Sequence, residues 1–209
     1  MKKKRIKKQR GFTLVELAIV LVIIGIILGA VLKGQQLIFN AKVKRLQNQL
    51  KEMEAAFYSY YDRFGYYPGD DPMASSRWSS APNGNGNGRV EGGYCDNSNE
   101  ESCIIWRHLR YANIISGDAS LTDPSQIVPH HIFGGQLHMF TGTYTIGGQS
   151  RSGLWTALRG LEAQAAEALD RAIDDGKCST GSMARYSGTN CNADGTYPSS
   201  GYLDVWVNF

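Results

Sequence analysis

With 209 residues, the chain has room for one domain of ordinary size and an anchor or tail. Its formal charge of +3 is unevenly spread: seven of the 22 Lys and Arg residues stand in the first ten positions, which hold no acid. The rest of the chain carries 15 basic and 19 acidic groups, formally −4, which excludes a domain that binds nucleic acid through bulk charge.

Residues 12–32, FTLVELAIVLVIIGIILGAVL, form an apolar run of 21 residues broken by one charge, Glu16. At about 1.5 Å per residue, a helix of that length crosses a bilayer core of about 30 Å. The basic cluster from Lys2 to Arg10 directly precedes the run, so the positive-inside rule places the N-terminus in the cytoplasm and the remainder outside. Lys33, Lys42, Lys44, Arg45 and Lys51 follow the span, but they are more widely spaced. A cleaved secretory signal fits poorly, because its apolar core is only about 7–15 residues long.

Beyond the run, Leu37, Ala41, Leu46, Leu50, Met53, Phe57, Tyr60 and Phe64 recur mostly at three- and four-residue steps, with charges and amides between them. That spacing is one amphipathic helical face. Residues 12–63 therefore read as a single helix, apolar all round at first and one-sided later, whose first half needs lipid or copies of itself. Gly25 and Gly29 read either as a G-x-x-x-G contact face between membrane helices or as tolerated small residues. A carboxylate inside such a run costs about 2.5–3.5 kcal/mol near the helix centre, less toward an end, and is normally paired. Nothing basic lies within the run, so the partner of Glu16 is expected from outside this helix.

The segment Lys8-Gln9-Arg10-Gly11-Phe12-Thr13-Leu14-Val15-Glu16-Leu17 resembles the prepilin signature of type IV pilins and type II secretion pseudopilins. The features shared are a basic leader, a Gly-Phe step, a Glu five residues after the Gly, and an unbroken apolar run. The resemblance implies that a membrane-embedded prepilin peptidase reads a leader, residues 1–11, through Lys7, Lys8 and Arg10. The peptidase would cut between Gly11 and Phe12 and methylate the Phe12 amine. Gly11, lacking a Cβ, allows close approach to the backbone. The resemblance also implies that Glu16 pairs with the Phe12 amine of a neighbouring subunit. The partners so implied are other pilin-like subunits and an inner-membrane assembly platform. The location implied is a single-pass inner-membrane anchor with a periplasmic domain, then a periplasmic or cell-surface filament. One departure stands out: many family members carry a helix proline where Lys33 stands here.

Residues 64–209 read as the extracytoplasmic globular domain. Phe64-Gly65-Tyr66-Tyr67-Pro68-Gly69 ends the helix. Residues 73–102 are polar, Gly-rich and expected to be irregular. A short helix is predicted from Ile104 to Ile115, a strand over 137–146, and a further helix within Leu154–Ile173 that Asp174-Asp175-Gly176 stops. The end of the chain, from Tyr202 to Phe209, reads as a half-buried strand with Leu203, Val205, Val207 and Phe209 facing one way. The expected class is α+β, with an antiparallel sheet packed on the amphipathic half of the long helix. The pilin resemblance implies the same arrangement.

Four cysteines allow three connectivities. Short loops close most easily, which favours Cys95 with Cys103 and Cys178 with Cys191 over the crossed arrangements. Disulfides in turn imply an oxidising compartment. Asn83-Gly84-Asn85-Gly86-Asn87-Gly88-Arg89-Val90 has the rhythm of a calcium loop, with Asn83, Asn85, Asn87 and Glu91 as ligand candidates. Amides at the ligand positions, and Tyr94 where the bidentate acid would stand, favour a plain Asn-Gly loop. Ala193-Asp194-Gly195 and Asp204 are faintly similar to the calcium-binding end of major pseudopilins. His108, His130, His131 and His138 lack a tight metal spacing, and no G-x-S-x-G or P-loop occurs, so no enzyme and no required cofactor is expected. The function expected is structural: a subunit of a type IV pilus-like filament, with a type II secretion minor pseudopilin as the alternative. A filament-tip adhesin or DNA-uptake subunit is a further class.

Overall fold

The computed structural model describes residues 12–146, 148–185 and 191–209. The leader residues Lys7, Lys8, Arg10 and Gly11 lie outside the described residues. The first element, α1, runs 51 residues from Leu14 to Phe64. It ends where Gly65, at φ 76°, donates its N–H to the Tyr61 carbonyl at 2.8 Å. The chain divides into two units, one up to Ala41 and one from Lys42 to Phe209.

In the first unit, the apolar side chains from Phe12 to Leu32 are exposed, in keeping with an all-round apolar helix. In the second unit, α1 shows one buried stripe of Val43, Leu46, Leu50, Ala56, Phe57 and Tyr60. Met53 and Phe64 on the predicted face are half-buried.

After α1 come α2 (Ala74–Arg77), α3 (Glu101–Tyr111), α4 (Pro124–Ile127), β1 (Gln136–Ile146), β2 (Gln149–Glu162), α5 (Ala163–Ile173), β3 (Met183–Arg185) and β4 (Tyr202–Asn208). The four strands form one antiparallel sheet in the order β1-β2-β4-β3. The part of α1 after Ala41 packs on this sheet, where Leu50 shares a hollow with Val207 and Phe209, and on α5, where the Gln47 amide donates to the Ala172 carbonyl.

Helix α3 begins three residues earlier than predicted and ends earlier too. Asn113 takes a left-handed φ of 53°, while the N–H groups of Asn113 and Ile114 bond back to the carbonyls of Arg110 and Leu109, a Schellman stop. The helix predicted within Leu154–Ile173 starts only at Ala163, and what precedes it is β2. Leu154, Trp155, Thr156, Ala157 and Leu158 are all buried, so the strand is covered on both faces and loses the period-two pattern that reveals a strand in sequence. Strand β4 likewise differs from the half-buried expectation. Leu203, Val205 and Val207 are buried as predicted, but Trp206 is buried from the other face. There it joins Phe140, Trp155, Ala157 and Ala184, with Tyr94 and Tyr144 packed edge-on against it.

Disulfides join Cys95 to Cys103 and Cys178 to Cys191. The first ties the loop before α3 to that helix, and the second closes the loop beyond α5.

Candidate functional site

The start of α1 is built by Thr13 and Glu16. Glu16 Oε2 accepts from the Thr13 N–H and from the Thr13 hydroxyl, each at 2.8 Å, and Thr13 Oγ1 accepts from the Glu16 N–H at 3.2 Å. This is a reciprocal capping box, which satisfies donors that the first helical turn leaves open. Phe12, one residue earlier, is 83% exposed. Downstream, α1 is long and apolar enough to cross a membrane. A Cβ added at Gly25, Gly29 or Gly34 would meet nothing within 4 Å in the single chain.

Beyond the end of α1 two acids that look solvated in the sequence are buried, and one of them bonds back to the helix. Asp71 is fully buried; its Oδ2 accepts from the Tyr60 hydroxyl at 2.7 Å and from Arg77, while Oδ1 accepts from the Met73 N–H. Asp70, 1% exposed, accepts from the N–H groups of Asn87 and Gly88 at 2.9 and 2.8 Å. Glu101 accepts from the N–H groups of Asn85 and Glu91, and burial pushes its carboxyl up. The Asn-Gly loop is thus wrapped around carboxylates of the segments on either side of it. His108 completes the joint, with Nδ1 accepting from the Gly69 N–H and Nε2 donating to the Pro82 carbonyl at 2.7 Å. Burial lowers this imidazole to about 4, against the opposing pull of the Pro82 carbonyl.

In the calcium candidates, Asn83 Oδ1 accepts from Ser75, Asn85 Oδ1 from Asn87 and Asn87 Oδ1 from Arg89, all through backbone N–H groups. The amide hydrogens of Asn85 and Asn87 point at the Glu91 carboxylate. A cation there would have to displace them. A second acidic group, Asp170, Asp174 and Asp175, has ligand atoms within 4.8 Å of one another. Asp170 is fully buried; it accepts from the Tyr197 hydroxyl at 2.8 Å and from the Gly176 N–H. Burial, together with the neighbouring Asp174 and Asp175 charges, raises its carboxyl to about 7 despite those two donors. Asp174 caps the start of β3 by accepting from Ser182 and Met183. Asp194 accepts from Thr196, and Asp204 from the Gly160 N–H.

Of the other histidines, His138 is buried, and its Nδ1 accepts from the Cys95 N–H at 3.0 Å. Burial, and after it the Arg159 guanidinium, lowers it to about 4. His131 is also lowered by burial.

Sequence reasoning missed Thr13, Asp70, Asp71 and Asp170. Thr13 was signalled by the T-x-x-E pattern with Glu16 before an apolar run. Asp170 was signalled more faintly, since it stands four residues after Ala166 and shares the face of buried Ala163 and Ala166. Asp71 carried no signal, because an acid in a Gly-Pro turn is normally solvated.

A family model, the prokaryotic N-terminal methylation motif, matches residues 6–32. That span covers the second half of the leader, the capping box and the apolar half of α1. No curated protein matches the chain.

Proposed function

From a chain that carries the N-terminal methylation motif, the signature of type IV pilins and pseudopilins, we propose a structural subunit of a type IV pilus-like filament, assembled through its N-terminal helix. One observation carries the reading. The first unit offers a helix whose apolar side chains from Phe12 to Leu32 are all exposed, with a carboxylate in its first turn held only by Thr13 among the described residues.

In this reading prepilin peptidase removes residues 1–11 and methylates the new Phe12 amine, and the apolar half of α1 anchors the subunit in the inner membrane. Assembly moves the helix from lipid into a bundle of its own kind, where Gly25 and Gly29 permit close approach. Glu16 then gives up Thr13 for the Phe12 amine of the next subunit, an ion pair away from water in which truncating either side strands the other charge. The globular part, Lys42–Phe209, stands outside the membrane, its disulfides suited to an oxidising compartment. This is a structural role and requires no cofactor. A cation at Asn83, Asn85, Asn87 and Glu91 would register as heat in a millimolar calcium titration by calorimetry.

Two measurements test the reading. N-terminal peptide mass analysis of protein from host membranes is expected to find N-methylated Phe12; a chain still starting at Met1 removes the filament role. Deleting the gene, with surface fibres and protein secretion scored separately, is expected to reduce fibres. Loss of secretion with fibres intact reassigns the subunit to a type II secretion pseudopilus.

A further inference from the structure

A hollow of about 300 Å³ opens between the globular half of α1 and the β1–β2 hairpin. Phe57 and Leu154, both nearly fully buried, close its floor. One wall is aromatic. The Tyr67 ring stacks on Phe57 at 5.1 Å and on Tyr61 at 4.8 Å, which fixes its plane, and Tyr58 beside it is 41% exposed. The facing wall carries a cross-strand hydroxyl pair, Thr143 Oγ1 and Ser152 Oγ, 2.6 Å apart on directly opposed residues. One hydroxyl donates to the other, which leaves one proton and several lone pairs for a third group.

Arg89 is the one charged side chain among the described lining residues. Its loop is held in place, since the Arg89 N–H donates to Asn87 and the neighbouring Gly88 N–H donates to buried Asp70. The hollow therefore presents a cation on a fixed loop, aromatic faces and hydroxyls, with no acid among its described lining residues, while the Glu54 charge acts on Tyr58 from outside the lining.

We propose that this hollow binds an acidic saccharide, a pyranose ring laid on Tyr58 and Tyr67 with its carboxylate on Arg89. A pyranose has an apolar, slightly positive C–H face that suits the negative face of a tyrosine ring. Its rim of hydroxyls matches the Thr143–Ser152 pair. A ring carboxylate matches the guanidinium fork, which takes two parallel hydrogen bonds from a planar anion. The volume lies at the small end of ligand sites, at about 300–1,000 Å³, which suits one or two sugar rings. A purely apolar occupant would leave both Arg89 and the hydroxyl pair facing it without a match. The site stands on the globular unit and does not depend on how the N-terminus is processed.

The test is calorimetric titration of the full chain in detergent micelles with methyl β-D-glucuronide, methyl β-D-glucoside and benzoate. Wild type is expected to bind the glucuronide at about millimolar strength or tighter, the glucoside about tenfold more weakly, and benzoate no better than the glucoside. Arg89→Gln should bring the glucuronide down to the glucoside's level, and Tyr58→Ala should abolish binding of both sugars. Near-UV circular dichroism checks that each variant is folded, and Thr143→Val serves as a third variant, expected to weaken both sugars. No glucuronide binding at about 50 mM would overturn the proposal. So would binding that folded Arg89→Gln and Tyr58→Ala leave unchanged, or benzoate binding as tightly as the glucuronide.

Discussion

Glu16 Oε2 and the Thr13 hydroxyl meet at 2.8 Å, so the one carboxylate in the apolar run is already engaged by its own helix start. The carboxylate accepts from Thr13, and in the proposed filament it would accept, after cleavage, from a neighbouring chain's amine; the two uses differ in what they need. A cap needs only an acceptor oxygen, whereas an ion pair needs the charge. Glu16→Gln keeps an acceptor and removes the charge. It is expected to leave cleavage after Gly11 intact while lowering sheared fibres by more than about tenfold, because it strands a buried amine. Thr13→Val keeps the charge and loses the cap, at about 1 kcal/mol of local helix stability. It is expected to reduce fibres far less. Immunoblots of sheared and cellular fractions measure both, and equal losses in the two variants would show that the cap, not the charge, is what assembly uses.

The other end of α1 hangs on Tyr60 and Asp71. Tyr60 is fully buried, and burial pushes its phenol well above the usual range, so it remains a hydroxyl donor to the carboxylate. Tyr60→Phe removes one bond to a charged acceptor and is expected to lower unfolding stability by about 1.5–3 kcal/mol. Asp71→Ala strands Tyr60, the Met73 N–H and Arg77 together and is expected to lower it further. Urea unfolding followed by tryptophan fluorescence measures both. A smaller loss in Asp71→Ala than in Tyr60→Phe would contradict this account of the joint.

The α+β class was legible because its two ends carry clean patterns: the long apolar-then-amphipathic helix, and the alternation of Leu203, Val205 and Val207. Strand β2 was not, because a strand covered on both faces and a buried helix have the same composition over five residues. The N-terminal motif was legible for the opposite reason. Few residues carry it, but their types and order are specific. Asp70, Asp71 and Glu101 were illegible as core residues, since an acid becomes buried only when distant N–H groups converge on it. For Asp70 and Glu101 those groups come from Asn85 to Glu91, up to 18 positions from Asp70, and for Asp71 the donors are Tyr60, Met73 and Arg77. The Asn-Gly repeat was weighed as a calcium loop against a plain Asn-Gly loop, and much of its contribution comes from its backbone N–H groups.

Gly84 makes that loop possible without any unusual φ. A Cβ there would lie 2.3 Å from the Gly69 carbonyl oxygen and from the Asp70 carbonyl carbon, both backbone atoms that cannot swing aside. Gly84→Ala is therefore expected to push the loop off Asp70 at a cost of about 1–3 kcal/mol. Gly88→Ala, at φ 79° but with nothing within 4 Å, is strained only by its backbone and should cost about 1–2 kcal/mol. Amide exchange at Asn87 and Gly88 separates the two: faster exchange is expected for Gly84→Ala. Unchanged protection there would show that the segment tolerates the shift.

Asp170 and the buried histidines pull the pH dependence of stability in opposite directions. The folded carboxyl of Asp170 sits near 7, above its ordinary value of 3.8. Its contribution is therefore fully present below about 4 and is lost as pH rises through about 7. His108 and His138 sit near 4, below their ordinary 6.5, and their contribution is present above 6.5 and lost as pH falls through about 4. His131, also lowered, acts with them. Between about pH 4 and 6.5 the histidines make unfolding take up protons, while Asp170 makes it release one, so the two effects partly cancel. Asp170→Asn keeps an acceptor for the Tyr197 hydroxyl and removes the released proton. Relative to wild type, its stability is expected to climb with pH by up to about 1.4 kcal/mol per unit across that window. Urea midpoints at half-unit steps from pH 4 to 8 measure the difference. Parallel profiles would mean that Asp170 is ionised in the folded protein and that the Tyr197 hydroxyl and Gly176 N–H suffice to hold the charge.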